Sequence, residues 1–375
     1  MIPGSTFAVS ELCGSTAEIL RKSAPPGFEV IHEDPLEFAD DIIGIFSRAG
    51  RACSRERLDW YYGRRGVEPV LSWMLRSRRT RTIVGLLSAV PRSFRRGTSV
   101  IRARVLGNFF VDEDVRPTLG AIHLLRAAQG AVLGGTVDLL FGFPSPLIEV
   151  LLLGMGFQLI DYWQTSAYVG SSGPLLRATI GPAAMVVSPL LDIGFKTMQA
   201  VRGASVSCSS FDVFEAADCG VWSLRPGQWA HPEGQFELDE NTEFLESHYL
   251  HDSNKKHRIL GIADGGSMCG YVVVNATHGG FHVCDCRTNT SRLSHAEAIS
   301  ALCRNQRFAT STVVATTLRS TQLTRSLHDS GWVRVPVRLG GYSCSLVGFW
   351  QPDHPLASQF SNADLWNFYV GFNDV

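Results

Sequence analysis

The strongest constraint on this chain is an order of elements that runs twice. Residues 28–165 pass through strand, helix, three strands, a long helix, strand, helix and strand, and residues 206–350 run through much the same order again. In the first stretch Phe28–Ile31 (FEVI) predicts a strand, and Leu36, Phe38, Ile42, Ile43 and Phe46 are spaced for one apolar helix face. An aromatic segment, Arg57–Tyr62, follows. Strands are expected over Val70–Leu75, Thr82–Ser88 and Ser99–Phe110, the first two as hairpin arms around Arg-rich turns. In the third, Arg102 and Arg104 alternate with Ile101, Ala103 and Val105, which predicts one wet face. A helix over Thr118–Leu133, a buried strand over Thr136–Phe141, a helix over Pro146–Leu153 and a strand over Phe157–Ile160 complete the stretch. In the second stretch the helices fall at Asn241–Leu250, Leu293–Phe308 and Ser320–His328. Its strands fall at Arg258–Ala263, Cys269–Asn275, Gly280–Cys286 and Thr312–Thr317, and Tyr342–Phe349 is expected to close the unit.

A strand feeding a helix and then a parallel strand, beside antiparallel neighbours, is a mixed-sheet α/β layout. The expected fold is therefore two tandem α/β (α+β) domains, 28–165 and 206–350, each a mostly antiparallel sheet flanked by helices. A leader (1–27) ends at Pro25-Pro26-Gly27, an apolar, Pro-punctuated connector (166–205) is expected to pack, and 351–375 forms a tail. At 375 residues the chain is comfortable for two cores.

A formal net charge of −1 argues against a surface tuned for nucleic acid, so no DNA partner is expected and tRNA is disfavoured. Nine irregularly spaced cysteines without an export signal read as reduced thiols of a cytoplasmic protein. The apolar stretches Val137–Ile160 and Ala178–Phe195 are interrupted by prolines and acids, so both are expected to be buried core elements rather than integral membrane segments.

Arginine is dense between Arg76 and Arg104, and neither lysine nor an acid occurs between Glu68 and Asp112. The run reads either as an anion site or as hairpin tips paired with acids elsewhere. Asp112, Glu113 and Asp114 end the central strand. A carboxylate there suits a base that takes a proton from an ammonium group, and equally an acidic first turn that complements a helix dipole. His282, Cys284 and Cys286 share a strand face by period two, with His278 nearby, but no Cys-x-x-Cys pair accompanies them and no metal is expected. His123 is expected to be a satisfied helix-face histidine. Trp60, Tyr61 and Tyr62 read as core aromatics or the lining of an acceptor pocket. Walker, nucleophile-elbow and dinucleotide signatures are missing.

Val111–Ala128 (VDEDVRPTLGAIHLLRAA) resembles the strand, phosphate-binding turn and helix of the Gcn5-related N-acyltransferase (GNAT) superfamily. The family turn reads Gln/Arg-x-x-Gly-x-Gly/Ala. Arg116 and Ala121 match its ends, Leu119 stands at the first glycine, and Gly120 is adjacent. Leu139–Phe157 (LLFGFPSPLIEVLLLGMGF) is similar to the following strand–helix–Gly–Phe segment, in the Phe-Gly-Phe-Pro form of acetyltransferase-like proteins of polysaccharide biosynthesis. Asp364–Asp374 resembles the Trp-containing tail of those tandem proteins. Leu152 takes the place of the family's general-acid tyrosine, and the second unit has no glycine-rich turn in Arg287–Arg292 (RTNTSR).

The resemblance implies a two-unit GNAT fold and acyl-CoA-dependent N-acyl transfer, with acetyl-CoA or another acyl-CoA as co-substrate. Phe110, Val111, Arg116, Thr118, Leu119, Gly120, Ala121 and Ser145 would hold the coenzyme, Asp112 and Glu113 would act as bases, and Trp60, Tyr61, Arg102 and Arg104 would meet the acceptor. The implied acceptor is a small amine, such as an amino sugar or amino acid of envelope or polysaccharide metabolism, and the arginines suit an anionic one. A non-catalytic GNAT-fold scaffold, and an aminoacyl-tRNA-dependent transferase, stay open as alternatives.

Overall fold

The computed structural model describes residues 25–63, 68–173, 181–203, 211–215, 235–238, 249, 257–277, 280–289, 293–305, 312–337 and 344–366. Its strands are β1 (Phe28–Ile31), β2 (Leu71–Ser77), β3 (Ile83–Arg96), β4 (Ser99–Val111), β5 (Leu139–Gly142), β6 (Gln158–Tyr168) and β7 (Asp212–Glu215). They continue as β8 (Glu237–Leu238), β9 (His257–Asp264), β10 (Ser267–Thr277), β11 (Gly280–Thr288), β12 (Thr312–Leu318), β13 (Val333–Arg334) and β14 (Ser345–Trp350). The helices used below are α1 (Ala39–Arg48), α2 (Arg55–Tyr62), α3 (Gly120–Leu133), α4 (Pro146–Gly154), α5 (Ala184–Gly203), α6 (His295–Arg304) and α7 (Gln322–Asp329). The mixed, mostly antiparallel sheet flanked by helices is the fold class that the sequence predicts.

These fourteen strands form one sheet in the order β1-β2-β3-β4-β5-β14-β6-β12-β11-β10-β9-β7, with β13 beside β6 and β8 beside β3. Period two sorts the side chains of β2 and β3 between two layers. Met74 and Leu86 join Ile42, Ile45, Phe46 and Leu58 under α1 and α2. Trp73, Leu75 and Leu87 join Leu124, Leu125, Ala128 and Leu152 under α3 and α4.

Two connections are parallel. β4 pairs with β5 across α3, and β11 pairs with β12 across α6. β14 does not close the second unit as the sequence suggests. It pairs with β5 and with β6, filling the gap between two strands of the first stretch. β6 in turn pairs with both β12 and β13 of the second. Each insertion satisfies backbone edges that would otherwise stay open. Local sequence carries no record of this exchange, because both partners lie far away along the chain. The exchange also explains why β6 reaches Tyr168 rather than stopping near Ile160, since its second half is built against β12.

Other expectations change. β3 runs on to Arg96 through Pro91. Arg104 is buried, not wet, because its guanidinium donates to the Pro69 carbonyl (2.7 Å) and pairs with Glu68 (3.0 Å). A β-bulge overturns the shared face of His282 and Cys286. β10 advances one residue from Val273 to Val274 while β11 falls back two, from Asp285 to Val283, so Cys284 is the extra residue. His282 and Cys286 therefore point to opposite faces. Trp60 and Tyr61 lie on α2, with Tyr61 in the core. The stretch Ala178–Phe195 is not a buried element over its described part, because most of α5 is exposed. The expected helix Asn241–Leu250 and His278 lie outside the described residues, apart from Tyr249.

Candidate active site

The site begins where two parallel strands part. β4 and β5 pair only over Ala103–Val105 and Leu139–Phe141. Past Val105, β4 continues to Val111 bonded to β3 alone, while β5 ends at Gly142 and the chain turns through Phe143, Pro144 and Ser145 into α4. A wedge therefore opens beside residues 106–111. Gly142 sits at its apex, where an added Cβ would lie 3.4 Å from the Leu106 Cβ.

Along the wedge β4 carries a bulge. Leu86 pairs with Phe110 and Ser88 with Gly107, so β4 holds one residue more than β3 over that interval. Asn108 absorbs it with φ +47°, a left-handed conformation that asparagine tolerates better than most side chains. The bulge turns Asn108 toward α2. Its Nδ2 donates to the Tyr62 hydroxyl (3.3 Å), which in turn lies 2.8 Å from Ser88 Oγ. Burial pushes the Tyr62 phenol up to about 12, against the partial relief of its bonds to Ser88 and Asn108. Sequence reading left Asn108 and Ser88 out, because neither a bulge nor its contacts follow from alternation alone.

At the mouth of the wedge stands the turn into α3. A 3-10 helix, Glu113–Thr118, leads to Leu119, which takes φ +62° and ψ +23°. A leucine in the left-handed region costs about 1–2 kcal/mol, and glycine is the residue that normally removes that cost. Gly120 serves the packing of the helix instead. A Cβ there would come within 2.8 Å of Leu75 Cδ2, so glycine lets α3 seat on β2. Among the described residues no side chain caps the N-terminus of α3. The first-turn amides of a helix have no intrahelical acceptor, and with the helix dipole they form an anion-binding end.

The predicted site residues distribute around this frame. Phe110 packs against Phe46 (ring centroids 4.6 Å apart) with the Arg51 guanidinium over its ring, and Val111 is buried beneath α3. Arg116 donates from Nε to the Val111 carbonyl (3.1 Å) and pairs with Glu113 (3.2 Å). Glu113 is otherwise open, its side chain 85 % exposed. Asp112 accepts both arms of Arg48, at 3.0 and 2.7 Å. Thr118 closes the 3-10 helix, and Ser145 is the N-cap residue of α4 without a side-chain capping bond. Arg102 forks onto Asp138, its Nη2 2.7 Å from Oδ1, at the far end of β4. Arg102 and Arg104 are thus separated from the mouth of the wedge, and each is held by a carboxylate. Arg76 and Arg81 likewise share Glu29, so much of the arginine run is paired with acids elsewhere. Trp60 and Tyr61 stand on α2 beside Tyr62, on the bulge side of the sheet.

His123, one turn into α3, is not the satisfied histidine expected: its Nδ1 is buried without a hydrogen-bond partner among the described residues. Burial, and secondarily Arg126, hold its pKa below the usual range.

No family model matches the sequence, and no curated protein is similar to it in sequence. Solved structures are similar to it in fold. A conserved protein from Enterococcus faecalis V583, described as a probable N-acyltransferase, superposes with a TM-score of 0.58 at 11 % identity, over 86 % of this chain and 72 % of its own. A GCN5-related N-acetyltransferase from Anabaena variabilis gives 0.57 at 11 % identity, with the same coverage. The N-myristoyltransferase of Saccharomyces cerevisiae with bound myristoyl-CoA gives 0.52 at 9 % identity, over 86 % of this chain and 83 % of its own. The chain has the fold of GCN5-related N-acyltransferases.

Proposed function

We propose that the protein is an acyl-CoA-dependent N-acyltransferase. The observation that carries this reading is the wedge beside β4 opening onto a helix end without a side-chain cap, whose turn holds Leu119 in the left-handed region. The amides of Gly120 and Ala121, with Arg116 beside them, would hold the coenzyme diphosphate, and the pantetheine arm would lie along Phe110 and Val111 toward Ser145. Asn108 and Phe109, without ladder partners at the bulge, would offer a backbone N–H to the thioester oxygen. The acceptor nitrogen forms a bond to the acyl carbon, the carbon–sulfur bond breaks, the thiolate leaves, and a base takes the amine proton. Glu113 and Asp112 are the bases of this reading, Glu113 being the freer. The acceptor enters from the α2 side, past Trp60 and Tyr61. A small amine of the amino-sugar or amino-acid class is its finer form, and it rests on the resemblance of the Phe-Gly-Phe-Pro segment.

One observation favours a non-catalytic binding role instead. Leu152, where the family's acid tyrosine stands, is buried in the core with Phe157 and Val347. Thermal-shift titration with acetyl-CoA, longer acyl-CoA thioesters and free CoA tests the proposal, since a ligand of the native state raises the melting temperature by mass action. A saturable rise with the thioesters is expected, and a flat response to all three would sink it. Release of free thiol when an amine mixture is added then separates an enzyme from a binding protein.

A further inference from the structure

Helix α5 is amphipathic the wrong way round. Its polar stripe, Ser188, Asp192 and Gln199, faces the protein. Asp192 accepts from the Ser172 amide (2.6 Å), the Ser188 carbonyl accepts from Ser172 Oγ (3.2 Å), and Gln199 Nε2 donates to the Val169 carbonyl (3.2 Å). Its apolar residues face outward. Val186 is 76 %, Leu190 73 % and Val201 74 % exposed, with Met185, Val187, Leu191 and Ile193 exposed beside them. At 3.6 residues per turn these seven span roughly 240° of the helix circumference. A solvent-facing helix places its side chains the other way, and an exposed apolar patch of this size marks a contact surface.

We propose that α5 is a docking helix that lies in the headgroup region of an anionic lipid surface. Two observations favour lipid over a second copy of the chain. A partner helix covers a seam of roughly 100–140°, whereas this arc is wider and suits immersion. The charges of residues 174–210 are Arg177, Asp192, Lys196 and Arg202, and the only acid among them is turned inward onto Ser172. The helix is about 30 Å long, but no helix among the described residues is long and apolar enough to cross a membrane, so α5 lies on the surface rather than spanning it.

Co-sedimentation of the full chain with vesicles tests this. Equal parts phosphatidylcholine and phosphatidylglycerol are expected to pull the protein down, with pure phosphatidylcholine weaker by about fivefold for each basic residue engaged. Leu190→Glu with Ile193→Glu should weaken binding by at least tenfold while leaving the melting curve unchanged, because both side chains point to solvent. Val201→Glu repeats the test at the other end of the helix if the double variant folds poorly. Wild-type protein that stays in the supernatant with anionic vesicles overturns the proposal. So does a lipid-free dimer, seen by sedimentation velocity, that the same substitutions split, since the face would then belong to a second copy.

Discussion

The two helices that follow the parallel-forming strands, α3 after β4 and α6 after β11, start in opposite ways. At α6 the protein seals its own helix end. Ser294 Oγ accepts from the Glu297 amide (3.2 Å), and the Glu297 carboxylate accepts from the Ser294 amide (2.8 Å) and hydroxyl (2.7 Å). The negative charge that a helix N-terminus attracts is built in. At α3 no described side chain fills that place, and the turn before it is held in a conformation that costs leucine energy. One topology thus gives one helix end that is sealed by a capping box and another that has no side-chain cap among the described residues. The fold alone therefore does not fix the state of a helix end; the residue that caps it decides.

The sharpest way to break this contrast is to give α3 a charge of its own. Leu119→Asp places a carboxylate among the α3 amides, at a position 57 % exposed where asparagine and aspartate tolerate the left-handed backbone. Two unit charges roughly 5 Å apart repel by about 3 kcal/mol near a protein surface, so coenzyme affinity should fall by roughly a hundredfold while the melting temperature holds or rises. Isothermal titration with acetyl-CoA reads this directly. Unchanged affinity would place the diphosphate elsewhere.

The bulges form a second contrast. The bulge in β4 presents Asn108 to Tyr62, whereas that in β11 presents Cys284, whose thiol donates to the carbonyl of His282. Tyr62→Phe leaves Asn108 and Ser88 without their shared buried partner and should cost about 1–3 kcal/mol in urea unfolding. The pH dependence has a definite sign. A phenol raised from 10.0 to about 12 binds its proton more tightly in the folded state. Its contribution is fully present below pH 10 and is lost as the pH climbs through about 12. The stability of wild type should fall over that window and that of the phenylalanine variant should not. Parallel alkaline profiles would show that the environment of Tyr62 is not the one described.

How much of this was legible in the sequence differs by residue. Apolar spacing located α1 and α3, because that signal is local. The partner of β14 was not legible, since its pairing with β5 joins residues some two hundred positions apart along the chain. Arg104 was read as wet because alternation reports a face, not the Glu68 that closes over it. Leu119 departs from the glycine of the family turn, but a residue type does not reveal that its backbone takes a left-handed form. The orientation of α5 escaped because an apolar run looks the same whether its polar stripe faces in or out.

Opening α6 tests the contrast from the other side. Ser294→Ala removes the capping hydroxyl and should cost about 1–2 kcal/mol of stability. It should not create a second coenzyme site, because the Glu297 carboxylate stays at the helix end, and titration stoichiometry should remain one. Two sites per chain would mean that the Ser294 cap alone had closed α6.

The smallest expected effect concerns Leu119 itself. Leu119→Gly relieves a left-handed leucine worth about 1–2 kcal/mol but adds backbone freedom to the unfolded chain worth about 0.5–1 kcal/mol, so the net gain should stay below about 1.5 kcal/mol. The melting temperature should rise by no more than about 2 °C for a chain of this size. Coenzyme affinity should stay within a few-fold of wild type, since the amides of Gly120 and Ala121 keep their places. A large gain in affinity would show that the leucine side chain partly covers the open helix end, so that α3 is less open than its missing cap implies. A loss of stability would instead show that Leu119 makes a contact that outweighs its backbone strain.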